Sequence, residues 1–157
     1  MKNQYHHSNV KNILTAELGG ILQLGRDIVS RASDMVTKYD SHIEANTVPT
    51  SKELYYDINT ILTPLSKFYA YLTDVFMLRR FLDKDYITNA IVYSGAFHSE
   101  NYIDILVNRF GFTITHVANK DESVDEIEKA VKEGKAFEIF KTMEQCSDLT
   151  SFPTHFL

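Results

Sequence analysis

The chain has 157 residues, of which 16 are Lys or Arg and 21 are Asp or Glu, for a net charge of −5 at neutral pH. This length suits one domain, or one small domain with a helical arm, and the acidic balance disfavours binding to a phosphate backbone. The single cysteine, Cys146, excludes an internal disulfide and a cysteine-based zinc cluster, as is typical of a reducing compartment.

The first nine residues are polar and include His6 and His7, which predicts a flexible N-terminus. They lack the apolar stretch of a secretory signal, and no apolar run along the chain approaches the ~18 residues of a membrane span. We therefore expect an intracellular protein, or one inside a particle that is assembled in a cell.

A long helix is predicted from about residue 10. Apolar or small residues recur there in alternating steps of four and three, which is the spacing of a coiled-coil seam. The helix is predicted to end between His42 and Asn46. The seam consists of Leu14, Leu18, Ile21, Gly25, Ile28, Ala32, Met35 and Tyr39.

A second long helix is predicted after Pro49, where Thr50 and Glu53 have the spacing of a capping box. Pro64 should bend it. The two seams predict an antiparallel helical hairpin over residues 10–86, packed on itself and on the following domain or a second copy of the chain. The second seam consists of Leu54, Ile58, Ile61, Leu65, Phe68, Leu72 and Val75, and the remaining aromatic residues of this helix are interpreted as core.

The next part of the chain has the pattern of a βαβ unit. Asn89–Tyr93 is predicted to be a buried strand, residues 102–110 a helix that ends at Gly111, and Phe112–Ala118 a second strand. Strand, helix and strand within ~30 residues predict parallel strands joined by a right-handed crossover. Two strands are too few to be stable alone, so the hairpin, a partner or further sequence would have to complete the sheet.

Two further helical segments are predicted towards the C-terminus. The first has apolar residues from Val124 to Val131 and ends at Gly134, and the second includes Phe137 and Phe140. The predicted fold class is therefore α/β and mostly helical. We expect a flexible segment at 1–9, the hairpin at 10–86, and a small βαβα segment at 87–157 that packs on the hairpin.

A candidate site follows the first predicted strand. Gly95 would stand at the strand exit and His98 at the start of the next helix, with Ser99 as a helix cap and Glu100 favoured by the helix dipole. An imidazole in this place could ligate a metal or act as a general base. His116, on the second predicted strand, could point to the same crevice, although a half-buried structural histidine is the commoner outcome.

The segment "IVYSGAFHSENYIDILVNRFGFTITH" resembles the strand, Gly-x-x-His, helix and strand of the TraB/Tiki-like, ChaN-like and erythromycin-esterase-like superfamily. It is more similar still to proteins of large DNA viruses in which a helix like Asp74–Arg80 precedes a Tyr-x-Gly-x-x-His loop. The resemblance carries over Gly95 and His98 as site residues, with Glu100 as a neighbour. Together with the positions of the other residues, this gives His98 and Glu100 as candidate catalytic residues and His98 as the candidate ligand of a divalent metal. The candidate ligand-binding residues are Gly95, Ser99 and His116.

Enzyme-like members of that superfamily combine two such elements, and this chain has one. The favoured hypothesis is therefore a noncatalytic viral module, built on a reduced fold of this type and located in the host cytoplasm or the virion. It would form a homo-oligomer or bind a protein partner through the helical seams, with nucleic acid disfavoured. The alternative is a metal-dependent hydrolase or small-ligand binder that uses His98 and receives its second motif from another chain.

Overall fold

The structure is a computed structural model that describes residues 6–117 and 123–135. These residues form two compact units, one of residues 7–79 and the other containing His6 and the described residues from Arg80 onwards. In chain order the helices are α1 (Ser8–Glu44), α2 (Ser51–Leu82), α3 (Ala96–Asn108) and α4 (Val124–Lys132). Among the described residues, no helix is both long enough and apolar enough to span a membrane.

The turn between α1 and α2 is formed by local hydrogen bonds. Asn46 takes the left-handed conformation (φ +50°), and the backbone N–H of Thr47 donates to the carbonyl of His42 at 2.9 Å. Thr50 and Glu53 then form the predicted reciprocal cap: the N–H of Thr50 donates to the Glu53 carboxylate at 2.8 Å, and the N–H of Glu53 donates to the Thr50 hydroxyl at 3.2 Å. The end of α1 and the start of α2 therefore lie where the sequence predicts them.

The helices α1 and α2 run antiparallel within the first unit. Gly25 lies against the ring of Phe68, and Lys38 pairs with Asp57. Residue numbers therefore increase along α1 in the direction in which they decrease along α2. The seam of α1 is directed into this unit, where Leu14, Ile21 and Ile28 are buried. Helix α2 continues through Pro64 to Leu82.

In the second unit α3 packs on α4. Its core consists of Val107, Ile127 and Val131, flanked by three partly buried residues, Ile103, Ile114 and Val117. The side-chain amide of Asn108 donates to the carbonyl of Val131 at 3.1 Å and so ties the end of α3 to α4. Helix α4 begins at a full capping box between Ser123 and Glu126 and is followed by Gly134 at φ +70°.

The predicted α/β class is wrong for the described part of the chain, which contains helices and no strands. Residues 87–95 and 111–117, which contain the first predicted strand and the described part of the second, are neither helical nor paired. Ile91 is 79% exposed, although the prediction required it to be buried. A strand is stable only when its backbone groups are paired in a sheet, and two isolated strands do not supply enough pairing.

Three features of the sequence analysis lie outside the residues that the structure describes. Ala118, the predicted last residue of the second strand, and the segment around Phe137 and Phe140 lie outside the described residues, as does Cys146.

Candidate functional site

The predicted Gly-x-x-His element lies at the start of α3. Gly95 is the residue before the helix, with φ −67° and ψ 160°, and its carbonyl accepts the N–H of Ser99 at 3.0 Å. The hydroxyls of Ser94 and Ser99 are 2.8 Å apart. The prediction assumed that Gly95 follows the end of a strand. In the structure Gly95 instead follows a loop that is not part of a sheet, and α3 begins directly after it.

His98 lies in the first turn of α3 between two aromatic rings. Its ring stacks on Tyr102, one turn later, with centroids 6.3 Å apart, and meets the edge of Phe97 at 5.8 Å. Tyr102 is buried and His98 is half-buried. These contacts hold the imidazole against the helix by aromatic packing. Glu100, the other predicted catalytic residue, is half-buried two positions along the same helix.

His116 is exposed in the non-helical segment after α3, where its Nδ1 lies 3.1 Å from the hydroxyl of Thr115. Within residues 6–117 and 123–135, no three His, Cys, Asp or Glu side chains lie close enough together to hold a metal ion. The element therefore brings Gly95, His98 and Ser99 together on one helix turn, and its catalytic, ligand-binding and metal roles stay predictions.

Sequence reasoning did not identify two buried carboxylates. Asp74, within α2, and Asp83, directly after it, are almost completely inaccessible to solvent. Asp83 accepts the backbone N–H of His6 at 2.8 Å. Burial of a carboxylate is costly unless it is hydrogen-bonded, and every buried side-chain nitrogen and oxygen in the described residues has a hydrogen-bond partner.

One face of the hairpin carries a polar cluster. Asp57 accepts hydrogen bonds from Lys38 Nζ at 2.6 Å and from the Tyr39 hydroxyl at 2.9 Å. The hydrogen bond from Lys38 lowers the pKa of Asp57 below its usual range. The same hydrogen bond raises the pKa of Lys38. Partial desolvation, reinforced by the bond to Asp57, raises the pKa of Tyr39. A shallow cleft of about 330 Å³ lies beside the cluster, lined by Arg31, Asp34, Met35, Lys38, Asp57 and Thr60.

The ion pair establishes which sides of the two helices share a face. Lys38 follows Met35 of the α1 seam by three positions. Asp57 likewise follows Leu54 of the α2 seam by three positions. At 100° per residue, a position three after such a seam residue lies on one flank of the seam, and a position one after it lies on the other flank. Because the ion pair joins the first pair of flanks, the second pair of flanks shares the opposite face of the hairpin.

That opposite face is apolar, and we call it the apolar face. On α1 its residues recur every seven positions and are 57–75% exposed: Leu22, Val29, Val36 and Ile43. On α2 its residues also recur every seven positions and are 50–66% exposed: Tyr55, Leu62, Tyr69 and Phe76. The interpretation of these aromatic residues as core is therefore wrong. The signal that could have located this face is the second seven-residue repeat, displaced by one position from each seam.

Comparison with known sequences identifies a family match and several similar proteins. Residues 20–157 match the sequence profile of DUF5847, which is described as a family of unknown function. Three proteins of Acanthamoeba polyphaga mimivirus are similar: uncharacterized protein R160 is 46% identical over 121 residues, R161 is 47% identical over 87 and R706 is 46% identical over 98. These alignments cover 70%, 53% and 59% of the chain, in the same order.

The chain spans only 28%, 20% and 23% of the lengths of R160, R161 and R706. No solved structure matches it. The resemblance to proteins of large DNA viruses is confirmed. The resemblance to the TraB/Tiki, ChaN and erythromycin-esterase-like superfamily is not supported by these matches, and the absence of strands from the described residues removes the strand-end setting on which it depended.

Proposed function

Because the chain belongs to DUF5847, a family of unknown function, we propose its role from its surface: it is a noncatalytic interaction module, and it binds another protein through the apolar face. The viral relatives favour a role inside an infected cell or a virus particle. The sequence suggested the helical seams as the contact surface. The α1 seam is directed into the hairpin, where Leu14, Ile21 and Ile28 are buried. On α2, Val75 is buried and three other seam residues are 37–42% exposed, which is less than any residue of the apolar face: Leu54, Ile58 and Leu72. The proposed contact surface is therefore the exposed apolar face.

The observation that supports this proposal is the extent of the apolar face. Eight large apolar side chains, each at least half exposed, lie on one side of the hairpin. With ~150–210 Å² for a whole side chain of these types, they present roughly 900 Å² to solvent. Contiguous apolar patches on monomeric proteins rarely exceed a few hundred Å², and larger ones are typical of interaction sites. The ion pair and cleft on the other side make the hairpin amphipathic.

Site-specific photocrosslinking tests whether the apolar face binds protein. A benzoylphenylalanine at position 36, on this face, should form protein adducts when the full chain is made in cells infected by the virus that encodes it. The same probe at position 37 is a matched control, because Thr37 is exposed but lies a further 100° around the helix. Adducts should be several-fold more abundant at 36 than at 37. Equal yields at the two positions, or no protein adduct at 36, would contradict the proposed function.

A second candidate function is a metal or small-ligand site at His98, completed by another chain. The observation that favours it is the start of α3, where a half-buried imidazole packed on Tyr102 is followed directly by Ser99, whose hydroxyl pairs with that of Ser94. His98 would coordinate the metal, and Glu100 and His116 are further candidate site residues. Gly95 would lie beside the bound small molecule.

Metal analysis of the purified full chain tests this candidate. It predicts about one divalent metal ion per chain, lost in His98→Ala. His42→Ala is the matched control, since His42 Nδ1 pairs with the Thr47 hydroxyl at 2.7 Å on the hairpin. A chain without metal, or metal content unchanged by His98→Ala, would contradict the metal site.

A further inference from the structure

We propose that the occupant of the apolar face is a second copy of the hairpin, packed face to face and antiparallel as a four-helix bundle. This inference rests on the proposed function and adds the identity and geometry of the partner. Both helices present the face with a seven-residue repeat. This repeat keeps an apolar stripe in register with another helix through a left-handed supercoil, which is the packing of four-helix bundles.

The stripe on α1 is spaced symmetrically about its own middle. A two-fold axis level with residues 32–33 places Leu22 opposite the partner's Ile43 and Val29 opposite the partner's Val36 when the two α1 helices run antiparallel. A two-fold interface must be self-complementary, because each patch meets its own copy. This spacing meets that requirement along the whole stripe.

The same axis also suits α2. The contacts of Gly25 with Phe68 and of Lys38 with Asp57 align the two helices. Interpolation between these contacts sets residues 32–33 of α1 level with Ile61 and Leu62 of α2. Leu62 then meets the partner's Leu62 at the axis, and Tyr55 lies opposite the partner's Tyr69. One symmetry axis thus pairs apolar side chains on both helices.

The charges at the edge of the face are complementary under this symmetry. Arg26 and Asp40 each follow a stripe residue by four positions, so they lie along the outer edge of the stripe on α1. The axis brings Arg26 opposite the partner's Asp40, twice per dimer. The guanidinium of Arg26 is exposed and bonds Gln23 of its own helix at 2.7 Å, so it can turn to a partner. On α2 the residues four positions after Tyr55, Leu62 and Tyr69 are uncharged, and Arg80 follows Phe76 in the same way. The uncharged residues are Asn59, Ser66 and Thr73.

The area of the face fits a stable dimer. The eight residues of the apolar face expose roughly 900 Å² in each copy, against ~800 Å² that each partner buries in an interface of standard size. Within residues 7–79 the hairpin therefore carries the area, the repeat and the charge pattern that a symmetric pair needs.

Analytical ultracentrifugation of the full chain over a range of concentrations tests the pairing. We expect a reversible dimer whose dissociation constant rises on the order of 100-fold or more in Val29→Glu/Val36→Glu, since the new carboxylates would be buried at the interface. The matched control is Ser30→Glu/Thr37→Glu, which adds the same charges at the next positions, both exposed and off the face. Its dissociation constant should stay within about threefold of the unmodified chain.

Charge reversal tests the antiparallel register. Arg26→Asp alone sets two carboxylates against each other, and Asp40→Arg alone sets two cations against each other, so each should weaken the dimer roughly tenfold at low salt. The double variant Arg26→Asp/Asp40→Arg restores opposite charges and should return the dissociation constant to within about threefold of the starting value. Single variants without effect, or a double variant weaker than both, would overturn the proposed register.

A chain that is monomeric at all concentrations would overturn the self-pairing, as would a dimer that Val29→Glu/Val36→Glu leaves intact. Flotation of the monomer with neutral phosphatidylcholine vesicles would assign the face to lipid and would also overturn it. A monomer that still crosslinks through position 36 to a different protein would overturn self-pairing and leave the proposed function standing. The absence of both self-association and crosslinks would overturn the two proposals together.

Discussion

Replacement of Leu14 by alanine is expected to lower the free energy of unfolding by about 2–5 kcal/mol, because it removes three buried carbons and leaves a cavity. Leu14 belongs to the α1 seam and is completely inaccessible to solvent. The spread reflects how far the surroundings can collapse into the cavity. Urea denaturation of the full chain, followed by circular dichroism at 222 nm, measures this loss.

Leu22→Ala is the matched control, since Leu22 lies on the same helix but is 57% exposed. In dilute solution, where any dimer has dissociated, its effect should stay within roughly 0.5 kcal/mol, the usual range for surface substitutions. Similar losses for the two variants would contradict the distinction between a buried seam and an exposed apolar face. The pair therefore tests the orientation of α1 on which both proposals depend.

The helices were predictable because their signals are local. Pro49 prevents continuation of α1, and Thr50 with Glu53 caps α2 through atoms three residues apart. The same logic would have placed the start of α4 at Ser123, whose hydroxyl and backbone are bound to Glu126. Such features depend on neighbours in the sequence, and tertiary contacts change them little.

The strands were not predictable in this way, because a strand depends on partners that are distant in the sequence. A short apolar run such as Ile91–Tyr93 has the composition of a buried strand, yet composition does not show whether another strand lies beside it. The structure leaves Ile91 and Tyr93 exposed. The Gly-x-x-His interpretation depended on that strand, so the setting assumed for His98 was lost with it.

The apolar face could be predicted only in part from the sequence. Periodicity shows that apolar residues line up on a helix, but each helix of the hairpin carries two adjacent stripes and only one can face its partner helix. The seam predicted from the sequence contains Ile28, and the structure buries Ile28 and leaves Val29 70% exposed. The ion pair of Lys38 with Asp57 was needed to show which flanks of the two helices share a face. The sequence contained the face, and the structure identified which stripe was covered.

Substitution of Gly25 by leucine is expected to destabilise the hairpin by about 1–3 kcal/mol, because a side chain at this position overpacks the seam. A Cβ at Gly25 would lie 3.0 Å from Cε2 of Phe68, closer than carbon atoms normally approach. Glycine is intrinsically poor in a helix, so its presence on the seam is best explained by the close approach of α2. Urea denaturation in dilute solution measures the loss, as for Leu14→Ala.

Gly20→Ala is the opposite case, since no atom lies within 4 Å of a Cβ built at Gly20. It should stabilise the chain by about 1 kcal/mol through helix propensity alone. Combining Gly25→Leu with Phe68→Ala should cost clearly less than the sum of the two single substitutions, because the new side chain occupies the space of the lost ring. Strict additivity would show that Gly25 and Phe68 are not in contact. That result would remove one of the two contacts that define the antiparallel alignment of α1 and α2, and with it the register of the proposed dimer.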